Sequence, residues 1–252
     1  MSNDDTSLDT TITNSPSEAV SSQAASASAS SPLRADADTA SALDMSSSGS
    51  SGGSPSRAVP RSLRWTTADI AVGAALGVAC GLVFWGFNYA YVVISPVLRD
   101  LLPGIASVLH AFWYFSGPLA LLIIRKPGAA VYVNLVGAVA ELVLGNPYSF
   151  ASVAASAALQ GVAAEIPFAV FRYRRYNLPL TIASGVVTAI EYGLYLIVTM
   201  YQGRGAAYLA IHMVSELVGG VLIAGVMSWW LFTAIAGTGA LDHLASGRAR
   251  RI

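Results

Sequence analysis

The hydrophobic pattern along the chain is dominated by six long apolar runs. They cover residues 68–94, 105–124, 129–144, 150–171, 180–201 and 208–235. Each is near the roughly 20 residues that an α-helix needs to cross the hydrocarbon core of a bilayer. Because no water is available there, backbone groups must pair within each segment, which favours helices. The pattern predicts an all-α membrane bundle of six transmembrane helices.

Polar positions concentrate at the N terminus. Residues 1–62 are rich in Ser, Ala, Thr, Asp and Gly and hold seven of the 14 acidic residues. Such a segment cannot bury enough apolar surface to offset its ordering entropy. It also lacks the basic and apolar regions of a signal peptide. We therefore expect a disordered cytoplasmic tail at 1–62 and a membrane domain at 63–252.

The bases of the membrane domain and its flanks lie in alternate loops. Cytoplasmic loops carry the excess of Lys and Arg, so both termini are predicted to be cytoplasmic. Only Arg99 and Arg204 fall on the opposite, external side. The predicted cytoplasmic bases are Arg57, Arg61, Arg64, Arg125, Lys126, Arg172, Arg174, Arg175, Arg248, Arg250 and Arg251. This distribution follows membrane topology and implies no nucleic-acid surface.

Four glutamates interrupt the apolar runs, at Glu141, Glu165, Glu191 and Glu216. A carboxylate at the bilayer centre costs roughly 2.5–3.5 kcal/mol on insertion scales, so these side chains should face the bundle interior. Glu165 lies deepest towards the cytoplasm, where the arginines of 172–175 are its expected partners. An intramembrane acid is either a structural residue with a polar partner or part of a binding site.

The other polar and aromatic residues at matching depth suggest an externally open pocket. His212 and Glu216 are four residues apart and share a helix face. Carboxylates, amides and aromatic faces together suit a flat, cationic or amine-bearing organic ligand. The candidate substrate-binding residues are Trp85, Asn88, Trp113, Tyr114, Glu141, Gln160, Glu191, Tyr195, His212 and Glu216.

The first apolar run carries two rows of small residues. Gly73, Gly77 and Gly81 repeat every fourth position and lead towards Trp85, and a second row repeats likewise about 160° away around the helix. The second row is Ala71, Ala75 and Ala79. Small residues at this spacing let helices approach closely. One row can pack inside the bundle, and the alanine row is left as a candidate docking face for a partner protein.

Several function classes lack their motifs. The only lysine is Lys126, and Pro127 follows it, so the chain cannot supply a Gly-Lys-Ser/Thr nucleotide-binding loop. There are three histidines, no His-Glu-x-x-His motif, and a single cysteine, Cys80, which excludes a disulfide within the chain. We expect no enzyme activity, cofactor or metal. A self-contained proton-coupled carrier, using Glu191, His212 and Glu216 as a relay, stays an alternative.

Specific motifs give the chain a family resemblance. They are Phe84-Trp85-Gly86, Trp113, Arg125-Lys126-Pro127-Gly128-Ala129-Ala130, Glu141 with Gly145, Gln160-Gly161 with Glu165, and the aromatic and arginine run at 168–176. In order and spacing the chain resembles YkoE-type substrate-binding (S) components of energy-coupling-factor (ECF) vitamin transporters, which belong to the ABC transporters. The match is good over 65–176 and looser afterwards.

The resemblance implies a six-helix S component in the bacterial cytoplasmic membrane that captures thiamine or its hydroxymethylpyrimidine precursor (HMP). A transmembrane coupling (T) subunit and separate ABC ATPases would drive uptake. The resemblance also implies that Ala71, Ala75 and Ala79 contact the coupling subunit. In this hypothesis Glu141 and Glu216 accept from the aminopyrimidine, and Trp85, Trp113 and Tyr195 stack on it. Asn88, Gln160 and His212 complete the hydrogen bonding.

Overall fold

A computed structural model describes residues 63–242, 244 and 246. The predicted tail at 1–62 lies outside these residues, as do the predicted cytoplasmic bases Arg57, Arg61, Arg248, Arg250 and Arg251. The predicted placement of both termini in the cytoplasm stays a prediction.

The described part of the chain is entirely helical and forms six long helices. They are α1 (Thr67–Leu101), α2 (Ile105–Ile124), α3 (Ala129–Leu144), α4 (Phe150–Val170), α5 (Leu178–Thr199) and α6 (Ala206–Gly237). Five are long and apolar enough to cross a membrane, and α3 is shorter, with 16 residues. The predicted all-α bundle is confirmed. Predicted and observed ends differ by at most two residues except at the end of α1.

Helix α1 continues seven residues beyond its predicted end at 94, to Leu101. Pro96 has no backbone N–H and so cannot donate a hydrogen bond to the preceding turn of the helix. The side chain of Arg99 stabilises the turn that follows Pro96. Arg99 donates from Nε to the carbonyl oxygen of Ser95 at 3.1 Å and from Nη2 to its hydroxyl at 2.8 Å. The extension therefore carries Arg99 to the end of the bundle, where it becomes part of the site described below.

Helix α2 is the centre of the bundle. The outer helices α1, α3, α4, α5 and α6 pack in that order, and each also contacts α2. Every residue from Ser116 to Ile124 is buried. The helix begins with a 3₁₀ segment at Ile105–His110, and α6 contains a π-helical segment at Gly220–Met227 that packs on α5. π-Helical turns, which are wider than α-helical turns, are rare and often lie at functional sites.

The two rows of small residues on α1 face opposite ways, as expected. Gly73, Gly77 and Gly81 are buried against α3, where they allow the two backbones to approach closely. Ala71, Ala75 and Ala79 are exposed on the outside of the bundle. The structure thus leaves the alanine row free within the described chain, and its contact with a partner stays a prediction.

Glu165 binds the N-terminal end of α3 and does not pair with the arginines that follow α4. Its carboxylate accepts from the backbone N–H of Gly128 at 2.9 Å, the N–H of Ala130 at 3.1 Å and the hydroxyl of Tyr173 at 2.7 Å. A negative charge at a helix N-terminus satisfies free N–H groups and complements the helix dipole. The expected pairing of Glu165 with the arginines of 172–175 is therefore replaced by a helix cap from a neighbouring helix.

Replacing Glu165 with alanine should lower the stability of the purified protein by about 1–2 kcal/mol, because two helix-end N–H groups lose their acceptor. Thermal unfolding in detergent measures the change as a lower midpoint. Asp100→Ala, which removes an exposed acid at the end of α1, should leave the midpoint near that of the unmodified chain. Equal midpoints for the two variants would contradict the capping role.

Candidate substrate-binding site

A cavity of about 280 Å³ lies at the end of the bundle where α1, α3 and α5 end and α2 and α4 begin. This is the end that the distribution of bases predicts to be external. Its lining combines aromatic rings, neutral polar groups, one carboxylate and one guanidinium. The lining residues are Phe84, Tyr91, Arg99, His110, Trp113, Asn134, Ala138, Glu141, Tyr148, Ser152, Val153, Ser156, Ala157, Gln160, Tyr192, Tyr195, Leu196, Met200 and Tyr201.

Glu141 is the carboxylate of the cavity wall, and two amides hold it in place. Its Oε1 accepts from the side-chain amide of Asn88 at 2.6 Å and from that of Asn146 at 2.5 Å. Asn88 in turn accepts at Oδ1 from the indole N–H of Trp113 at 2.9 Å. Asn88 is buried, so it positions both the carboxylate and the indole ring of the wall. These bonds pre-organise two groups that a ligand would touch.

Glu216 lies behind the wall rather than on it. It is fully buried, its Oε1 contacts Nδ1 of His110, and its Oε2 accepts from the hydroxyl of Tyr114 at 3.1 Å. Nε2 of His110 is 2.9 Å from the hydroxyl of Tyr91. His110 and Tyr91 both line the cavity, so the network connects Glu216 to the ligand space through a histidine.

His212 completes this polar cluster. Its Nδ1 is 2.6 Å from the Ser107 hydroxyl, and its Nε2 is 3.2 Å from the carbonyl oxygen of Gly193. His110, His212 and Glu216 offer ligating atoms within 4.8 Å of one another, a spacing that a metal ion could bridge. However, all four ring nitrogens already have protein partners. The arrangement is accounted for as a hydrogen-bond network, and we assign no metal to it.

Neutral polar groups of α3 and α4 share the cavity lining with Glu141. Gln160 and Asn134 are buried side chains on the lining, and Ser152 and Ser156 add hydroxyls. Asn134 is fixed by the Ser116 hydroxyl, which donates to Oδ1 at 2.7 Å, and its amide donates to the carbonyl oxygen of Ala157 at 3.4 Å. Amides and hydroxyls both donate and accept, so this wall suits ring nitrogens and hydroxyl groups.

Tyrosines and a tryptophan form the remaining wall. Tyr192 and Tyr195 stack with ring centroids 6.0 Å apart and planes at 17°. Tyr148 and Tyr201 lie just outside the spanning helices, and burial is the main cause that raises the pKa of each phenol. Both therefore keep their protons at neutral pH and can donate hydrogen bonds to a ligand.

The ten predicted site residues fall into three groups. Trp113, Glu141, Gln160 and Tyr195 line the cavity. Asn88, Tyr114, His212 and Glu216 lie one layer behind and contact residues of the lining. Trp85 and Glu191 are not brought to the cavity. Trp85 packs on Tyr89, and the buried Oε2 of Glu191 has no hydrogen-bond partner in the described chain.

The sequence analysis missed several residues of the lining. Tyr91 lies three positions after Asn88 and so shares its helix face, which is a usable signal. For His110 the sequence offers no such signal, because this residue lies in the 3₁₀ segment at the start of α2 and its partner Glu216 is 106 positions away. From the sequence, Arg99 is only a loop charge, because the first apolar run ends before it, at residue 94.

Comparisons with known proteins agree with this architecture. A family model described as the permease component of an ABC-type cobalt transport system matches residues 68–191. The chain is 29% identical over 186 residues, 73% of this chain and 91% of the relative, to YkoE of Bacillus subtilis (strain 168), whose name describes an HMP/thiamine permease protein. A crystal structure of an S component of an ECF transporter superposes with a TM-score of 0.68 at 26% identity, covering 75% of this chain and 94% of that one.

The six-helix bundle with a ligand-sized cavity at one end has the fold of an ECF-transporter S component, a class of non-enzymatic, multi-pass proteins of the bacterial plasma membrane. Within that class the chain resembles the YkoE type, and the resemblance of the sequence motifs is confirmed.

Proposed function

We propose that this chain captures HMP or thiamine at the external face of the membrane and presents it for ATP-driven uptake. The observation that carries the proposal is the cavity lining, which combines Glu141 with neutral amides, hydroxyls and aromatic rings. The name of the relative YkoE points to the same ligands. Both contain an aminopyrimidine, a flat ring with an exocyclic amine and acceptor nitrogens.

The lining offers a partner for each of these groups. The carboxylate of Glu141 is the acceptor for the exocyclic amine, and charge-assisted hydrogen bonds are the stronger kind. Gln160 and the hydroxyls of Ser152 and Ser156 suit the ring nitrogens and the hydroxymethyl group. The faces of Trp113 and Tyr195 provide stacking surfaces for the ring.

The cavity chemistry favours an organic ligand over the cobalt ion in the name of the matching family model. Cobalt and similar ions are bound by imidazole nitrogens, thiolates and carboxylates in a fixed geometry. The described lining has one imidazole, His110, and both its nitrogens are hydrogen-bonded. Most of the wall is aromatic or neutral, which matches ordinary small-molecule sites.

Energy for uptake would come from partner proteins. The chain lacks a nucleotide-binding loop, and the S-component fold implies a T component and ATPases. The exposed alanine row of α1 is the proposed contact with the T subunit, since small side chains permit close helix packing.

Replacing Ala75 with leucine should weaken binding to the T subunit about tenfold or more, because the larger side chain holds the facing helix away. Co-purification with tagged T subunit and ATPases, followed by an uptake assay, measures the loss. Ligand binding by the isolated variant should not change. Ala155→Leu, at an exposed alanine on α4, is the matched control. Full assembly with Ala75→Leu would contradict docking through the alanine row.

The function itself is tested by titrating the purified chain with HMP and with thiamine. Saturable binding of at least one at micromolar concentration or tighter is expected, and binding of neither would reject the ligand assignment. Proteoliposomes separate the carrier alternative: uptake should require the T subunit and ATPases, whereas uptake by this chain alone under a pH gradient would favour a proton-coupled carrier.

A further inference from the structure

Three exposed arginines follow α4 within four positions, and no acid of the described chain pairs with them. The partner expected from the sequence, Glu165, is instead bound to the start of α3 and to the hydroxyl of Tyr173. We call residues 172–175 the arginine turn. Its arginines are Arg172, Arg174 and Arg175.

The backbone of the arginine turn has a defined conformation. Arg172 and Tyr173 are both left-handed, with φ of 52° and 55°, which side chains with a Cβ disfavour. The hydroxyl of Tyr173 donates to Glu165 at 2.7 Å and holds the turn against the bundle. The guanidinium carbon of Arg175 lies 5.3 Å from the ring centroid of Phe171. Because the turn is already ordered, a ligand that binds it has little backbone to immobilise.

The end of the bundle that carries the arginine turn has an excess of positive charge. This is the end where α2, α4 and α6 end and where α3 and α5 begin, and it is predicted to be cytoplasmic. The charged residues described there, besides the arginine turn, are Arg64, Arg125, Lys126, Asp69, Glu165 and Asp242. Six bases therefore stand against three acids. An anionic surface is attracted to such a cluster.

An apolar surface runs along the outside of α4 to the arginine turn. Val162, Ile166 and Val170 repeat every fourth position and so share a helix face. Their exposed fractions are 54%, 48% and 71%. In a spanning helix such a face contacts acyl chains. Since α4 ends at Val170, the positive charges follow directly on this face, and a molecule that fits both has an anionic head group and an acyl chain.

We propose that the arginine turn binds the head group of an anionic phospholipid, with an acyl chain along the apolar face of α4. Arginine keeps its charge at physiological pH and donates paired hydrogen bonds to phosphate oxygens. Tyr173 connects the turn to Glu165, which caps α3, so the bound lipid stabilises this end of the bundle. The inference goes beyond the proposed function and does not depend on which ligand fills the cavity.

The test is thermal unfolding of the purified full-length chain in a neutral detergent, titrated with dioctanoyl phosphatidylglycerol. We expect a saturable rise of the midpoint that neither dioctanoyl phosphatidylcholine nor sodium phosphate reproduces. Replacing any one of the three arginines with glutamine should weaken the apparent affinity for phosphatidylglycerol about fivefold, and replacing all three about a hundredfold. Three lysines keep the charge and should retain the affinity within about fivefold. Arg204→Gln, at an exposed arginine at the other end of the bundle, is the matched control and should bind as the unmodified chain does.

Each contrary outcome overturns a stated part of the proposal. An equal rise with phosphatidylcholine would leave only an apolar contact, and an equal rise with sodium phosphate would leave a free-anion site. Unchanged phosphatidylglycerol affinity in the triple glutamine variant would overturn the role of the arginines. If that variant also failed to assemble with the T subunit and ATPases in phosphatidylcholine vesicles, the arginines would contact a partner protein instead. Because the three side chains are exposed, the variants are expected to fold, which a gel-filtration profile checks.

Discussion

Replacing Glu141 with glutamine will lower the affinity of the purified protein for HMP by about ten- to a hundredfold, because a charged acceptor is worth roughly 1.5–3 kcal/mol. Glutamine has nearly the same shape and can still accept from Asn88, which donates to Glu141 at 2.6 Å. The wall should therefore keep its geometry and lose only the charge. Titration of detergent-solubilised protein with HMP measures the change directly.

Glu191→Gln is the control, because sequence analysis treats the two glutamates alike and the structure does not. Glu191 lies off the cavity lining, so its variant should bind HMP within about twofold of the unmodified chain. A large loss in Glu191→Gln together with normal binding in Glu141→Gln would place the site elsewhere. Such a result would contradict the proposed function and not only the role of Glu141.

The spans of this fold could be predicted because a bilayer imposes one strong requirement on the sequence. A helix must stay apolar for about 20 residues, and five of the six predicted segments end within two residues of the observed helices. The end of α1 departs from the prediction because Ser95, Pro96, Arg99 and Asp100 interrupt the apolar run in its last turns. Beyond 94 the helix is held by local bonds such as those from Arg99 to Ser95, which hydropathy does not register.

The rotation of each helix about its axis was harder to predict than its ends. The glycine row of α1 fixes the buried face, but 3.6 residues per turn shift that face steadily away from a strict four-residue repeat. Phe84 lies about 20° from Gly73 around the helix and is buried, whereas Trp85 lies about 120° away. Phe84 and Asn88 therefore continue the buried face of the glycine row, and Trp85 lies outside that face.

Rotation alone does not explain the position of Glu191 on α5. The cavity meets this helix at Tyr192, Tyr195 and Leu196, and Glu191 is only about 40° from Tyr195 around the helix but one turn further from the end of the bundle where the cavity lies. The lining of α5 thus begins at Tyr192, just after Glu191. Pairings across the bundle, such as His110 with Glu216, need the packed structure, since nothing local in the sequence joins residues so far apart.

The close approach of α1 and α3 should be the least tolerant feature of the bundle. A Cβ at Gly81 would lie 2.5 Å from the carbonyl oxygen of Gly137 and 2.7 Å from Cβ of Ala140. The first of these is backbone, which cannot move without displacing the helix. Gly81→Leu should therefore separate the helices at a cost of about 3 kcal/mol or more and leave little correctly folded protein.

Gly86→Leu makes the same change five residues further along α1, where a Cβ would meet nothing within 4 Å. This variant should be as stable as the unmodified chain or slightly more so, because glycine costs a helix about 1 kcal/mol relative to good helix formers. The single cysteine, Cys80, is buried, so a thiol-reactive dye reports unfolding during heating, and gel filtration reports folded yield. Similar unfolding midpoints and yields in the two variants would show that α1 and α3 do not depend on glycine contact, and the placement of Glu141 against Asn88 would lose its support.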